Sequence, residues 1–431
     1  MGLAAKLDVS DSSIHAATAF FDRLLQRYGP RDFDVRFCDG STWAADAPRF
    51  TLVLTHPGSM RAMFEAPSEL SLGEAYARGD FDVDGDMEAA IAFGHFLLND
   101  DRSAVDKLRL ATMLHALPPP PHTAIPHAGP RLLGWRHSKY RDRQAIQYHY
   151  DIPADFYKLW LDRRMVYSCG YFNTPEDDLE TAQENKLDHL CRKLRLKAGE
   201  TLLDIGCGWG GLILHAARRY GVRALGITIS ESQAAIASKR IAESGLGEQC
   251  RVEMCDYRDV YGEQFDKIVS VGMFEHVGRS RFAEYFAKAW QLLKPGGVFL
   301  NHAIAYSATY VRKGPSFIDT YVFPDGDLVP LNVTLQAAEQ AGFEVRDVES
   351  LREHYVLTLC QWIKRLETQA GKARQITNDA TYRIWRLYMA GSAFAFRIGR
   401  LNVFQTLLSR PDHGNSGLPL TRDDWYCAEG Q

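Results

Sequence analysis

The run Leu203-Asp204-Ile205-Gly206-Cys207-Gly208-Trp209-Gly210-Gly211 joins a β-rich stretch, Thr201 to Ile205, to a helical Leu212-Ile213-Leu214-His215-Ala216-Ala217. Glycines let a chain turn tightly from strand to helix and approach a ligand closely, because no Cβ intervenes. A tight turn alone would account for them. Asp204, at the carboxyl end of the strand, turns the reading towards a bound cofactor. A dinucleotide fits poorly: its Gly-x-Gly-x-x-Gly fingerprint needs an acid about 20 residues on. Here the next strand ends Gly226-Ile227-Thr228-Ile229-Ser230, without one.

Two neighbouring features belong with this turn. Ser230-Glu231-Ser232-Gln233 has the form of a helix capping box, in which Ser230 accepts from the Gln233 amide and the Gln233 side chain reaches back. A cofactor contact by Gln233 is the equal alternative. In Asp256-Tyr257-Arg258-Asp259, at the end of the third strand, Asp256 stands where it would accept from an adenine amino group, against the alternative of plain surface-loop chemistry.

These residues need a sheet to hold them. Thr201 to Ile205, Val222 to Ile229, Arg251 to Cys255, Lys267 to Val271 and Val298 to Ile304 are β-rich with helical patterns between, which predicts an α/β, doubly wound, Rossmann-like and mainly parallel sheet with its ligand edge at the strand carboxyl ends. The first third reads as a smaller α+β domain: Phe50 to Leu54 alternates, and Leu70 to Tyr76 runs into an acidic turn at Asp80 to Asp86. Pro118 to Pro121, then Pro126 and Pro130, exclude continuous helix and suit an extended linker. The expected division is therefore 1–117, a linker over 118–145, and 146–431. Basic residues at the linker's end, Arg136, His137, Lys139, Arg141 and Arg143, serve solvation or meet anionic headgroups. The segment 352–409 is rich in helix formers and aromatics, suited to core or to helical walls of a lipid tunnel.

Composition sets the limits. The 431 residues are 46% hydrophobic and 24% charged with a net charge of −4, a globular balance that argues against a nucleic-acid coat. Cys38, Cys169, Cys191, Cys207, Cys250, Cys255, Cys360 and Cys427 make no C-x-x-C pair, so neither a metal site nor a disulfide framework is expected, and a reducing cytoplasm fits. No stretch approaches the roughly 18 apolar residues that span a bilayer, so membrane contact would be peripheral.

From about 145 to 410 the chain resembles the cyclopropane-fatty-acyl-phospholipid synthases, S-adenosylmethionine-dependent relatives of the mycolic acid cyclopropane synthases and other lipid methyltransferases. The carriers are Gln147-Tyr148-His149-Tyr150-Asp151, Met165-Val166-Tyr167-Ser168-Cys169-Gly170-Tyr171, Asp204 to Gly211, Gly226 to Ser230 with Gln233, and Val271-Gly272-Met273-Phe274-Glu275-His276-Val277-Gly278. Leu72-Gly73-Glu74-Ala75-Tyr76 and Gly79-Asp80-Phe81 are similar to the family's smaller N-terminal domain, which accompanies phospholipid substrates and is lacking in the shorter mycolate enzymes. The resemblance implies that Tyr167, Ser168, Asp204, Gly206, Gly208, Gly210, Thr228, Gln233 and Asp256 hold S-adenosylmethionine. It further implies that a bound bicarbonate is held by Cys169, Glu275, His302, the backbone of Ile304 and Tyr355, with no metal and with His276 in support. Singly, each has a bland alternative: a small core cysteine, a helix-dipole glutamate, a strand histidine, a core phenol.

The reaction so implied adds one carbon to the cis double bond of an unsaturated phospholipid acyl chain. Alkene π electrons attack the sulfonium methyl, and the resulting cation must lose a proton in a dry pocket to close the ring. One departure stands out: Asn301-His302-Ala303-Ile304-Ala305 lacks the Thr and Gly expected around the ligands, which leaves room for a methyl- or methylene-branched product. A third reading is a catalytically idle relative. Phe317 to Gly326 and the late helices are expected to wall an acyl channel, with Arg383, Arg386, Arg397 or Arg400 meeting phosphates. A homodimer lying peripherally on the inner face of the cytoplasmic membrane completes the expectation.

Overall fold

The computed structural model describes residues 11–121, 129–150, 152–311, 314 and 316–426, so Pro126, Asp151 and Cys427 lie outside the described residues. The chain forms two compact units: 1–129, 313–322 and 378–394 make the first, and 130–312, 323–377 and 395–431 the second.

In the first unit, β1 (Phe33–Arg36), β2 (Thr42–Trp43), β3 (Phe50–Leu54) and β4 (Phe81–Gly85) form a sheet in the order β2-β1-β3-β4. The alternation of β3 buries Phe50, Leu52 and Leu54. The acidic turn expected at Asp80 to Asp86 is strand β4 instead. Phe81 and Val83 are buried and Asp82 and Asp84 alternate with them, so period-2 patterning outweighs the acidic composition. Helix Glu69–Arg78 starts at Ser68, whose side chain accepts from the Ser71 amide, and stops at Gly79 with φ 81°.

This unit also takes some of the side chains expected at an acyl channel and at phosphates, Phe317, Tyr321, Arg383 and Arg386, while Phe323, Arg397 and Arg400 belong to the second unit. A Cβ on Gly73 would lie 2.3 Å from the Phe317 ring, and the Tyr321 hydroxyl donates to Glu74 over 2.9 Å, so both aromatics pack on the helix Glu69–Arg78. Arg386 is buried and donates to the Tyr76 hydroxyl and to the Val83 carbonyl, while Arg383 pairs with Asp82 and Asp379. Neither meets solvent, because each satisfies its guanidinium inside the unit. These contacts draw 378–394 into the first unit, where the sequence pattern divides the chain only once.

The sheet of the second unit comprises β5 (Thr201–Ile205), β6 (Arg223–Thr228), β7 (Cys250–Met254), β8 (Phe265–Val271), β9 (Leu293–Tyr306), β10 (Glu344–Ser350) and β11 (Leu401–Ser409). Its order is β10-β11-β9-β8-β5-β6-β7. The five strands from β7 to β9 are parallel, and β11 and β10 are added antiparallel. Both faces are covered by apolar clusters, Leu203, Ile205 and Phe299 belonging to one and Leu202, Val298 and Leu300 to the other. β11 falls within the segment 352–409, where helix is expected. A strand buried on both faces, such as β11, shows no clean alternation and reads like buried helix.

The linker expected over 118–145 ends earlier than its charge suggests. Residues Lys139–Tyr150 are helix, in which Lys139 pairs with Asp259 and Arg141 with Asp325. Arg136 also lies 3.8 Å from Asp325, so local ion pairs occupy three of the basic residues. Among the described residues no helix is long and apolar enough to cross a membrane.

Candidate functional site

The chain runs from β5 out to β6 and β7, then returns to β8 on the other side of β5, leaving a crevice at the strand carboxyl ends. A cavity sits there. Of the residues expected to hold a cofactor, Tyr167, Ser168, Asp204, Gly206, Gly208, Thr228, Gln233 and Asp256 all line it. Gly210 does not; it caps the following helix Gly211–Tyr220 at φ 79°. Gly206 has φ 86°, and a Cβ there would lie 2.8 Å from that of Met273, so only glycine carries the chain past β8 at this point.

Gln233 is not the return half of a capping box. Ser230 does accept from the Gln233 amide, but the Gln233 side chain accepts from the Thr228 hydroxyl over 2.8 Å, which couples the tip of β6 to the helix Glu231–Ser244. Asp256 is gripped by Arg258, whose Nε and one Nη donate to its two oxygens over 2.8 and 2.7 Å. Burial pushes this carboxyl up, yet the Arg258 bonds outweigh it and hold the pKa low. Arg258 also reaches Asp142 on the helix Lys139–Tyr150 over 2.9 Å.

Sequence reading missed the residue at the centre of this wall. Lys186, on the helix Leu179–Leu194, is 1% exposed, lines the cavity and donates to the Ser168 hydroxyl over 2.9 Å. Gln183, one turn earlier, donates to the Ser168 carbonyl over 2.8 Å. Burial lowers the Lys186 pKa to about 8, and burial raises that of Asp204 to about 7 against the opposing charge of Lys186. No sequence signal singles it out, because the same buried helix face also carries Gln183, His189 and Lys193. Around the rim, Phe323 stacks on His149 at 4.1 Å between ring centroids, and His149 on Tyr167 at 5.8 Å.

None of the five residues of the second group lines this cavity. Glu275, in a short turn after β8, accepts from the Ile304 amide over 2.7 Å through Oε1. Its Oε2 is buried and has no partner among the described residues. Burial raises the Glu275 pKa to about 7. His302 is buried beside Gln405, whose side-chain amide lies 3.3 Å from Nδ1. Burial lowers the His302 pKa to about 3, keeping the ring neutral. Cys169 and Tyr355 converge on one carbonyl: the Cys169 thiol donates to Leu351 O over 3.7 Å and the Tyr355 amide over 3.0 Å. Leu351 is in turn tied to Val403 of β11, which pairs with Ile304 of β9. Burial pushes the Cys169 thiol pKa well up, so it stays protonated. His276 lines the cofactor cavity, its pKa lowered to about 4 by burial.

The departure on β9 has a definite place. Successive strand residues point to opposite faces, so Asn301, Ala303 and Ala305 face away from His302 and Ile304. Asn301 accepts from the Tyr285 hydroxyl over 3.2 Å, and Ala303 packs in the apolar cluster. The altered residues therefore repack the core side of β9.

Residues 137–406 match the family model described as mycolic acid cyclopropane synthetase. A Pseudomonas putida protein described as a "probable fatty acid methyltransferase" is 41% identical, over 88% of this chain and 92% of its own length. The tuberculostearic acid methyltransferase UfaA1 of Mycobacterium tuberculosis is 32% identical over 92% of both chains. Among solved structures, the mycolic acid cyclopropane synthase CmaA1 complexed with SAH and CTAB superposes with a TM-score of 0.59 at 35% identity, over 62% of this chain and 97% of that one.

Proposed function

We propose, from the premise that this chain belongs to the mycolic acid cyclopropane synthetase family, that it converts the cis double bond of an unsaturated phospholipid acyl chain into a cyclopropane ring. At the coarser level it is an S-adenosylmethionine-dependent fatty acid methyltransferase. The observation that carries the finer reading is Glu275: a buried carboxyl with one oxygen anchored by Ile304 and the other unsatisfied, in the turn that also supplies Met273 and His276 to the cofactor cavity.

When bound, S-adenosylmethionine supplies an electrophilic methyl; the alkene π electrons form the new C–C bond as the C–S bond breaks. The glycine turn, Asp204 and the Gln233–Thr228 pair give its binding edge, and Lys186 keeps Ser168 and Asp204 in place. The acyl chain then carries a cation. Loss of a proton from the added carbon closes the ring directly, whereas a 1,2-hydride shift that first moves the cation onto the methyl-bearing carbon, followed by loss of a methyl proton, leaves a methylene branch. Glu275 holds that proton at Oε2, where burial excludes the water that would quench the cation.

The same residues fit bicarbonate. Among the described residues Oε2 of Glu275 is an acceptor without a partner, open to its hydroxyl, and the His302 ring, the other implied ligand on β9, would supply a donor for its oxygens in the Nε2–H tautomer. When bound it would supply a base. Ile304, implied as a direct ligand, spends its amide on Glu275 instead, and so acts as the anchor of the carboxylate. Phospholipid as substrate is supported by the first unit, which lies largely outside the 137–406 match to the mycolate family model.

A branched product is the second reading, favoured by the names of relatives that match nearly the whole chain, which are methyltransferases. Gas chromatography with mass spectrometry of acyl chains, after incubation with S-adenosylmethionine and monounsaturated phospholipid vesicles, decides. A product heavier by one CH2 that resists hydrogenation is expected; one that takes up hydrogen means a methylene branch; no product means an idle relative.

A further inference from the structure

Ahead of the helix Lys139–Tyr150, the chain presents large apolar side chains to solvent. Trp135 is 90% exposed, Leu133 63% and Tyr140 65%. This is not a loose tail. The Leu133 amide donates to Gln144 Oε1 and its carbonyl accepts from Gln144 Nε2, each over 3.2 Å, and Arg141 donates to the Gly134 carbonyl over 3.1 Å. The loop is thereby pinned along the helix face that carries Tyr140, Arg143 and Gln144, residues three and four apart.

Charge on this face has one sign. Arg131 and Arg143 are exposed and form no ion pair among the described residues. The acids near them are already matched: Asp259 with Lys139, Asp325 with Arg141, and Asp142 with Arg258. A fixed tryptophan, a tyrosine and a leucine among unmatched arginines suit the headgroup boundary of a bilayer. There indole and phenol rings place an apolar body and a polar edge, and guanidinium groups meet phosphate.

We propose that the loop 131–136 with the Tyr140 and Arg143 face of the adjoining helix is the surface by which this protein docks on anionic lipid bilayers. The proposal rests on the reading of a lipid-embedded substrate for its purpose, but its binding event is independent of catalysis. It places membrane contact at the entrance to the second unit, on the chain segment that runs directly into the helix carrying Asp142 and Tyr150 of the cofactor cavity.

The test is sedimentation of the full chain with vesicles of phosphatidylglycerol and phosphatidylcholine, compared with phosphatidylcholine alone. Two variants are used: Leu133→Ser with Trp135→Ser and Tyr140→Ser, and Arg131→Gln with Arg143→Gln. The wild type is expected to sediment with the anionic vesicles, and each variant to partition about tenfold or more weakly, with the arginine pair losing its preference for anionic lipid. Both variants should melt as the wild type does and keep its turnover on detergent-dispersed lipid. Wild-type failure to sediment, or variants that sediment unchanged, would overturn the proposal. So would variants that change only the oligomeric state, since a second copy would then cover the face. If patch-dependent sedimentation occurs but no acyl product forms, the docking surface stands and the proposed reaction fails.

Discussion

The amide of Ile304 donates to Oε1 of Glu275 over 2.7 Å, while Oε2 of the same carboxylate is buried without a partner among the described residues. Half of the group is fixed and half is left to act on whatever enters. This asymmetry makes its consequences measurable.

The first concerns rate against pH. Burial raises the Glu275 pKa to about 7, and only the carboxylate accepts a proton. Turnover at saturating cofactor and lipid is expected to rise with pH up to about 7 and then level. Glu275→Gln should lose at least a hundredfold in turnover and that pH limb with it, while calorimetric affinity for S-adenosylhomocysteine stays within a few fold. Equal loss of cofactor affinity would place Glu275 in binding instead. Asp204, also raised to about 7 by burial, is expected to show its titration in the cofactor KM.

The second concerns stability. A carboxyl whose folded pKa lies above its ordinary value of 4.5 favours folding while protonated, so its contribution is full below 4.5, declines as pH rises from there, and is lost above about 7. Glu275→Gln removes the charge, so it should be more stable than the wild type above pH 7 by roughly 3 kcal/mol at most. Below pH 4.5 the two should unfold alike. Denaturant melts at both pH values check the sign.

Lys186→Met is the third. It removes the donor to Ser168 and the cation that opposes burial of Asp204. Cofactor affinity should fall by about 2 kcal/mol, roughly thirtyfold, as for a charged hydrogen bond. Isothermal titration with S-adenosylhomocysteine measures it, and Lys186→Arg should not restore binding, since a guanidinium is too large for a fully enclosed ammonium site.

Arg258→Ala would leave Asp256 and Asp142 without their shared cation in a buried setting. The expected loss is about 3–5 kcal/mol of stability, read in a urea melt. Arg258→Lys should recover only part of it, because one ammonium cannot reproduce the two-pronged grip on Asp256.

Gly206→Ala tests the turn. With φ at 86° and Met273 in the way, the variant should lose about 1–3 kcal/mol and bind cofactor weakly. A melting temperature equal to that of the wild type would show that the loop relaxes.

The local chemistry of the glycine turn, and the alternation of strand and helix around it, are legible in neighbouring residues alone. Asp204, Gly206 and Gly208 were legible because a strand-to-helix turn at a ligand demands particular residues within a few positions. The parallel core of the sheet followed from the same alternation, and the candidate ligands Cys169, Glu275, His302 and Tyr355 from likeness to a family. Tertiary structure decided the rest, where partners come from distant parts of the chain. That Ile304 serves Glu275, that Gln233 turns to Thr228 and that Arg258 closes on Asp256 depend on which donor is nearest once the strands are stacked. Lys186 looked like any helical lysine until burial put it beside Ser168 and Asp204. Arg383 and Arg386 read as phosphate-meeting groups because sequence carries no sign of the carboxylates, hydroxyl and carbonyl that enclose them. Local patterning is written in neighbouring residues, whereas the pairing of buried polar groups is settled only when desolvation forces each to find a partner.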